Sequence, residues 1–444
     1  MHDARDGRLN DPPVPAATAP RAPQAFAEFD RGTLPAWALV RHRMDPTEIP
    51  DVRVAVREAL APVMGAVTPG QRACVAVGSR GIDRIDEVVR ATVDRLREAG
   101  AEVFIIPAMG SHGGATAAGQ LEVLAGYGVT PDAMGCEIRS SLETVQLGQV
   151  AGIPVFVDRI AFEQADLIIP VNRVKPHTDF VGEIESGLMK MIAIGLGNQK
   201  GADTFHAQGF ATFHSLIPAV ATHTLANAPI PFGLALVENP HARLRRIKAV
   251  PADRIAEREQ ALLVEARAAL ARLPLDSIDV LVLDAIGKDI SGLGMDSNVV
   301  GRYYTGPTGS GPSVQRIIVR ALTEETEGNA VGIGMADVTL RRAVEQIDYR
   351  KTYMNCITAK TPEGARVALT VDSDREALAI ALACCLRVVP ENARIVRVRD
   401  TKHLETLWVS APALADVMAT GRCEIVEPLR AISFDDHGMF IDRV

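Results

Sequence analysis

Short apolar runs, each closed by a glycine turn and followed by apolar residues at helical spacing, recur through the first half of the chain. Residues 74–77 (CVAV) are the first run, and Gly78-Ser79-Arg80-Gly81 ends it. Ile85, Val88, Val89, Val93 and Leu96 then fall on one face of a helix that Gly100 stops. Residues 103–106 (VFII) lead to a second turn, Gly110-Ser111-His112-Gly113-Gly114, and to a helix near 116–125. Residues 167–171 (LIIPV) are a third strand, running into a loop that carries His177. This alternation predicts an α/β fold whose N-terminal part is a Rossmann-like, doubly wound unit with a parallel sheet. Ligands of such sheets bind beyond the carboxyl ends of the strands, so the turns at Arg80, at His112 and after Val171 should open on one edge.

Residues 253–273 are charged and alanine-rich and predict a long connector helix. Residues 279–284 (DVLVLD) start a second α/β unit, followed by a segment with Lys288, Asp296, Asn298 and Arg302. Helices near 337–346 and 375–387 and a strand at 395–398 complete it. The expected division is a disordered Pro/Ala-rich tail at 1–32, an N-terminal α/β domain at 33–273 and a C-terminal α/β domain at 274–444. The active site is expected in the cleft between the two domains.

Composition narrows the function. The 444 residues are 47% hydrophobic and 23% charged, an ordinary soluble balance. A net charge of −8, 4% aromatics and the lack of any run of five like charges argue against nucleic acid and a polybasic membrane contact. The first thirty residues lack the apolar core of a signal peptide, and no stretch approaches a membrane span. Six cysteines without C-x-x-C spacing suit reduced thiols in a cytoplasmic protein. None of these features sets the oligomeric state.

The chemistry gathers between Val171 and Phe210. Lys175-Pro176-His177 follows a strand end, and a histidine near its unperturbed pKa can take and return a proton at neutral pH. Lys190 interrupts an apolar run, where a lysine either snorkels or is held for chemistry. His206 sits in Thr204-Phe205-His206-Ala207. In the Gly110–Gly114 turn, glycines clear space around His112 for a ligand. Ser79 and Arg80 occupy a strand-to-helix turn suited to an anion. The segment from Gly195 to Gly201 is no phosphate loop, since Gly201 rather than Ser or Thr follows Lys200.

Together, Arg80, His112, His177, Lys190 and His206 resemble the nickel-dependent lactate racemase family in order and spacing, over roughly residues 72–210. The blocks GSRGI, PAMGSHGGAT and VNRVKPHTDF look like a divergent, mostly uncharacterised branch. The resemblance implies a nickel-pincer nucleotide, pyridinium-3,5-bisthiocarboxylic acid mononucleotide, delivered by cofactor-synthesis enzymes. It matches Lys190 to the lysine joined to the cofactor as a thioamide and His206 to the nickel ligand. It matches His112 and His177 to the two bases of a 2-hydroxy acid racemase. Arg80, with Ser79 beside it, would bind the cofactor phosphate or the substrate carboxylate. Lys288 and Arg302, chosen on charge alone, are further substrate-binding candidates.

The chain departs from the family's founding members at Glu183-Ile184-Glu185-Ser186. Two carboxylates there would repel an anionic substrate unless they face elsewhere or pair with Lys175 or Arg173. Three alternatives remain open on sequence. One is the same cofactor serving another redox or elimination reaction, with the two glutamates as extra acids or bases. Another is an inactive protein that binds a small organic acid. The third is a zinc site of His112, His177 and His206.

Overall fold

The structure, a computed structural model, describes residues 29, 32–78, 81–304 and 311–444. Nearly all of the expected tail at 1–32 therefore lies outside the described residues. Five strands build the first sheet in the spatial order Glu102–Pro107, Arg72–Val77, Leu167–Arg173, Phe232–Glu238 and Leu244–Pro251. The first four are mutually parallel and the last is antiparallel. Both faces are covered, which is why the strand sequences are continuous apolar runs. Ile168 packs with Cys74, Ala76 and Phe104 on one face, and Ile169 and Val171 pack with Val75, Val77 and Ile105 on the other.

This order contains a topological switch. From Arg72–Val77 the chain crosses one way to Glu102–Pro107, then returns past it to Leu167–Arg173. A crevice opens at the carboxyl ends of the two central strands where crossovers diverge in this way. Val77 and Val171 are register partners at that end, so the turn after Val77 and the loop that carries His177 leave the sheet side by side.

The second sheet has eight strands in the order Leu369–Val371, Val338–Leu340, Ser313–Val319, Ser277–Leu283, Ile395–Val398, Thr406–Ser410, Trp37–His42 and Cys423–Arg430. The first five are parallel and the remainder antiparallel. Two sequence expectations change here. Trp37–His42, expected with the N-terminal domain, pairs instead with Thr406–Ser410 and Cys423–Arg430. The anchor is aromatic: Trp37 stacks on Trp408 at 5.0 Å, and its indole N–H donates to Asp442 at 3.1 Å. The helix expected near 337–346 is confined to Arg341–Glu345, because Val338–Leu340 is a buried strand between two parallel neighbours. Val and Thr suit that packed, pleated setting better than a helix.

The connector is the helix Ile255–Ala268, which packs its Leu262, Leu263 and Ala266 into the core of the first unit. Contacts then join the two units beside the crevice. Lys175 Nζ lies 3.6 Å from Asp296 Oδ2, Asn298 Nδ2 donates to the His177 carbonyl at 3.1 Å, and the helix Tyr349–Ala359 packs against Asn198–His206. Among the described residues, no helix is long and apolar enough to cross a membrane.

Candidate functional site

The loop carrying His177 is closed at its base. Lys175 and Ser186 exchange backbone hydrogen bonds of 3.0 and 3.3 Å. Inside it, the Glu185 carboxylate, only 2% exposed, accepts from the backbone N–H of His177 at 2.6 Å and of Gly182 at 3.0 Å. Its charge is met by Arg267 of the connector helix at 2.5 Å. Glu183 is a side chain of a different kind, turned toward Gln260 Nε2 at 3.3 Å. The carboxylates are therefore disposed of as the departure from the founding members required, but with another partner. Arg173 is engaged by Glu238 and Lys175 faces Asp296.

With its backbone held, the His177 ring is oriented by contacts on both nitrogens and on its face. Nδ1 accepts the Asp179 backbone N–H at 3.0 Å, Nε2 lies 2.5 Å from Lys190 Nζ, and the Phe180 ring packs at 4.5 Å. Lys190 ends a single helical turn, Leu188–Lys190, that continues into the π-helical turn Met191–Gly195. Such π-turns are rare and concentrate at functional sites.

The start of that turn rests on Glu259, a connector-helix carboxyl group 1% exposed that accepts the backbone N–H groups of Met189 and Leu188. Burial pushes its pKa up to about 7 against these hydrogen bonds, which pull it down. Gly187 is required by this close approach. A β-carbon there would lie 2.4 to 2.7 Å from the carboxyl group of Glu259.

His206 is the last residue of the helix Asn198–His206. Its ring lies 5.6 Å from Phe210 and 5.8 Å from Phe213, while His177 packs on the same Phe210 at 6.2 Å. Burial, and next the charge of Lys190, lower the His206 pKa to about 4. The imidazole is neutral at physiological pH, and its buried Nδ1 has no hydrogen-bond partner. The structure thus brings His177, Lys190 and His206 to one place.

The His112 turn borders it. Gly110 N–H donates to the Gly195 carbonyl at 3.2 Å, its α-carbon faces Ala202, and Gln120 Nε2 donates to the Gly110 carbonyl at 3.0 Å. Gly113 has φ 66°, and a β-carbon there would sit 2.5 Å from the Gln120 nitrogen, so no other residue fits. The turn is thereby fixed against both segments that carry Lys190 and His206.

Ser79 and Arg80 lie outside the described residues. Lys288 Nζ donates to the Gly292 carbonyl and to Asn355 Oδ1, both at 2.7 Å. Arg302 is turned into the second sheet, where it donates to Asp337 and to the carbonyls of Met335, Val314 and Gln315. Several contributors had no motif to announce them: Asp179, the Phe180/Phe210/Phe213 cluster, and Lys360, whose charge reaches His206. Glu259 did leave a signal, since it interrupts the apolar stripe of Ile255, Leu262, Leu263 and Ala266.

Among the described residues, no three His, Cys, Asp or Glu side chains gather as a metal cage, so the three histidines do not form a zinc-type site. The chain superposes on the structure of the lactate racemase apoprotein from Thermoanaerobacterium thermosaccharolyticum with a TM-score of 0.50. The two are 13% identical, and the match covers 86% of this chain and 95% of that one. The chain has the lactate racemase fold. A crystal structure of a protein from Thermotoga maritima matches over 81% of this chain and 99% of its own, with a TM-score of 0.46 and 15% identity. No family model and no curated protein matches the sequence. Beside Lys190 the chain offers a neutral, desolvated imidazole with a bare nitrogen, that of His206. That is a single metal donor, suited to a metal that brings its other ligands with it.

Proposed function

We propose that the chain is a member of the nickel-dependent lactate racemase family, and a racemase or epimerase of a 2-hydroxy carboxylic acid. The observation that carries this reading is the convergence of His177, Lys190 and His206 around Phe210, at the switch point of a sheet with the lactate racemase fold. The residues fit a nickel-pincer nucleotide. Lys190 Nζ would tether it, and His206, neutral and with Nδ1 unpartnered, would supply an imidazole ligand to its nickel. When bound, that group supplies an acceptor for the hydrogen on the substrate's C2.

The chain's own residues do the remaining work. Loss of a C2 proton next to a carboxylate is unfavourable, so removal of the hydroxyl proton by a base must accompany departure of the C2 hydrogen. His177 and His112 are the two bases, one for each face of the planar 2-oxo acid. Lys288 or the Arg80 turn binds the substrate carboxylate. Burial of Phe180 and Phe213 beside the histidines keeps water from the reacting centre.

The test is co-expression with cofactor-synthesis enzymes, followed by intact mass, nickel content and chiral analysis of 2-hydroxy acids in deuterated water. A mass adduct that maps to Lys190, with one nickel per chain and interconversion of enantiomers, is the expected result. Protein that carries neither nickel nor an adduct sinks the reading. The second use of the cofactor, with Glu183 and Glu185 as extra acids or bases, has no geometric support. Glu185 is buried under three donors and Glu183 faces the connector helix.

A further inference from the structure

We infer that Glu259 of the connector helix is a positioning residue for Lys190: it caps the Leu188–Lys190 turn from outside, and the proton on its buried carboxyl group holds that turn shut. Loss of the proton lets the turn open. This concerns the cofactor-free chain and goes beyond the racemase reading; only the link from the turn to cofactor attachment rests on that reading.

The turn cannot cap itself. A helical start leaves its first amides without partners, and a side chain at the residue before it ordinarily accepts from them. Here that residue is Gly187, which has no side chain to offer. Glu259, 70 positions away, accepts instead: Oε2 takes the Met189 N–H at 3.0 Å, and the carboxyl group also takes the Leu188 N–H. It sits so close over Gly187 that a β-carbon there would be 2.4 Å from Oε1. From the other side, Asn172 Nδ2 donates to the Gly187 carbonyl at 2.8 Å, the carbonyl that also takes the Met191 N–H at 3.1 Å. Asn172 and Glu259 thus fix the start of the turn, and of the two only Glu259 can change its charge.

Oε1 of Glu259 is buried and has no hydrogen-bond partner. A carboxylate would keep an unsolvated charge there, which water admitted by an open turn would relieve. No protein charge does so. From the turn, from the strands Phe232–Glu238 and Leu244–Pro251 that pack on the connector, and from the connector itself, no ionised side chain bears on this group. The connector's other charges are engaged elsewhere: Glu257 by Arg254, Glu265 by Arg246 and Arg267 by Glu185. Burial therefore outweighs the two amides, and the pKa stands at about 7 against 4.5 for the ordinary group. The closed turn keeps its proton up to about pH 7, whereas an open, hydrated carboxyl group releases it from pH 4.5. Opening accordingly becomes easier as pH rises between those values and levels off above them.

Hydrogen exchange of the full-length, cofactor-free protein between pH 5 and pH 8, read by mass spectrometry and corrected for the intrinsic rate, tests this. Protection of the Leu188–Met191 amides should fall about tenfold or more in the parent, toward the limit of about 70-fold that a fully hydrated carboxylate allows. In Glu259→Gln, which keeps an oxygen for the two amides but cannot ionise, protection should stay within about threefold across the range. The turn should also exchange about tenfold or more faster than the central strand Arg72–Val77, which marks a local opening. Because the variant can fail to fold, the parent supplies a second readout: its Leu188 and Met189 amide shifts should titrate with a midpoint near 7. Flat protection in the parent, an equal fall in Glu259→Gln, exchange of the turn only together with Arg72–Val77, or amide shifts that titrate in the ordinary carboxyl range would each overturn the inference. None of these readouts involves nickel or a cofactor, so a chain that never takes up the cofactor leaves them standing, and a flat profile leaves the racemase reading standing.

Discussion

Glu185 and Glu183 stand two positions apart in the segment where the chain leaves the pattern of the founding members, and the structure gives them opposite weights. Replacing Glu185 by Ala strands the backbone N–H of His177 and of Gly182 and leaves Arg267 without its carboxylate. A buried donor without a partner costs about 1–3 kcal/mol, and the half-buried Gly182 belongs at the low end of that range. The Arg267 side chain is 34% exposed, so water screens its loss to about 1 kcal/mol or less. The sum is about 3 kcal/mol for Glu185→Ala. Glu183→Ala gives up one 3.3 Å contact at the surface and should stay within about 0.5 kcal/mol of the parent. Urea unfolding of the two variants measures both. Hydrogen exchange should also quicken at the His177 and Gly182 amides in Glu185→Ala only. If Glu185→Ala lies within about 1 kcal/mol of Glu183→Ala, Glu185 does not hold the loop and its placement under His177 has been misunderstood.

Other outcomes follow from the same contacts. Glu259 has a native pKa of about 7, raised from 4.5 by burial, so the native state keeps a proton that the unfolded chain releases. Its contribution is complete below pH 4.5 and lost as pH rises through 7, a swing of about 3 kcal/mol; the urea midpoint of Glu259→Gln, relative to the parent, should therefore improve between pH 5 and pH 8. Gly187→Ala should destabilise by about 1–3 kcal/mol through overlap with the Glu259 carboxyl group, and Gly187→Ala with Glu259→Ala should destabilise by less than the sum of the two. Arg302→Lys should lower stability by about 1–3 kcal/mol, since one ammonium cannot replace a guanidinium shared among Asp337 and three carbonyls. The KM of any substrate should be unmoved by that change. His206→Ala should fold normally by circular dichroism yet retain no nickel after co-expression.

Much of the frame is legible in the amino-acid order. The strands at 74–77, 103–106 and 167–171, the glycine turns after them, and the connector helix lie within a few residues of the observed elements. The signals are local ones: apolar periodicity declares an element, and a glycine turn declares its end. Even Glu259 is visible as a carboxylate on an apolar stripe, although its purpose under Leu188–Lys190 is not. The helix expected at 337–346 failed where periodicity is weakest. Three buried residues, Val338–Leu340, are too few to separate strand from helix without knowledge of their neighbours.

What the chain by itself determined is which chemistry is present and on which edge of the sheet it emerges: His112, His177, Lys190 and His206, on turns and helices that leave parallel strand ends. Tertiary structure decided who partners whom. Arg267, 82 positions away, neutralises Glu185 in place of Lys175 or Arg173; Arg302 is drawn into the second sheet; and Trp37–His42 joins strands more than 350 residues distant. Periodicity is written over a few residues, whereas the choice of ion pair, strand neighbour and tautomer depends on which groups packing brings within about 3 Å, where hydrogen bonds form. The meeting of Lys190 Nζ and His177 Nε2 is the clearest case: spacing could place the two residues on one edge, but only packing brings their nitrogens together.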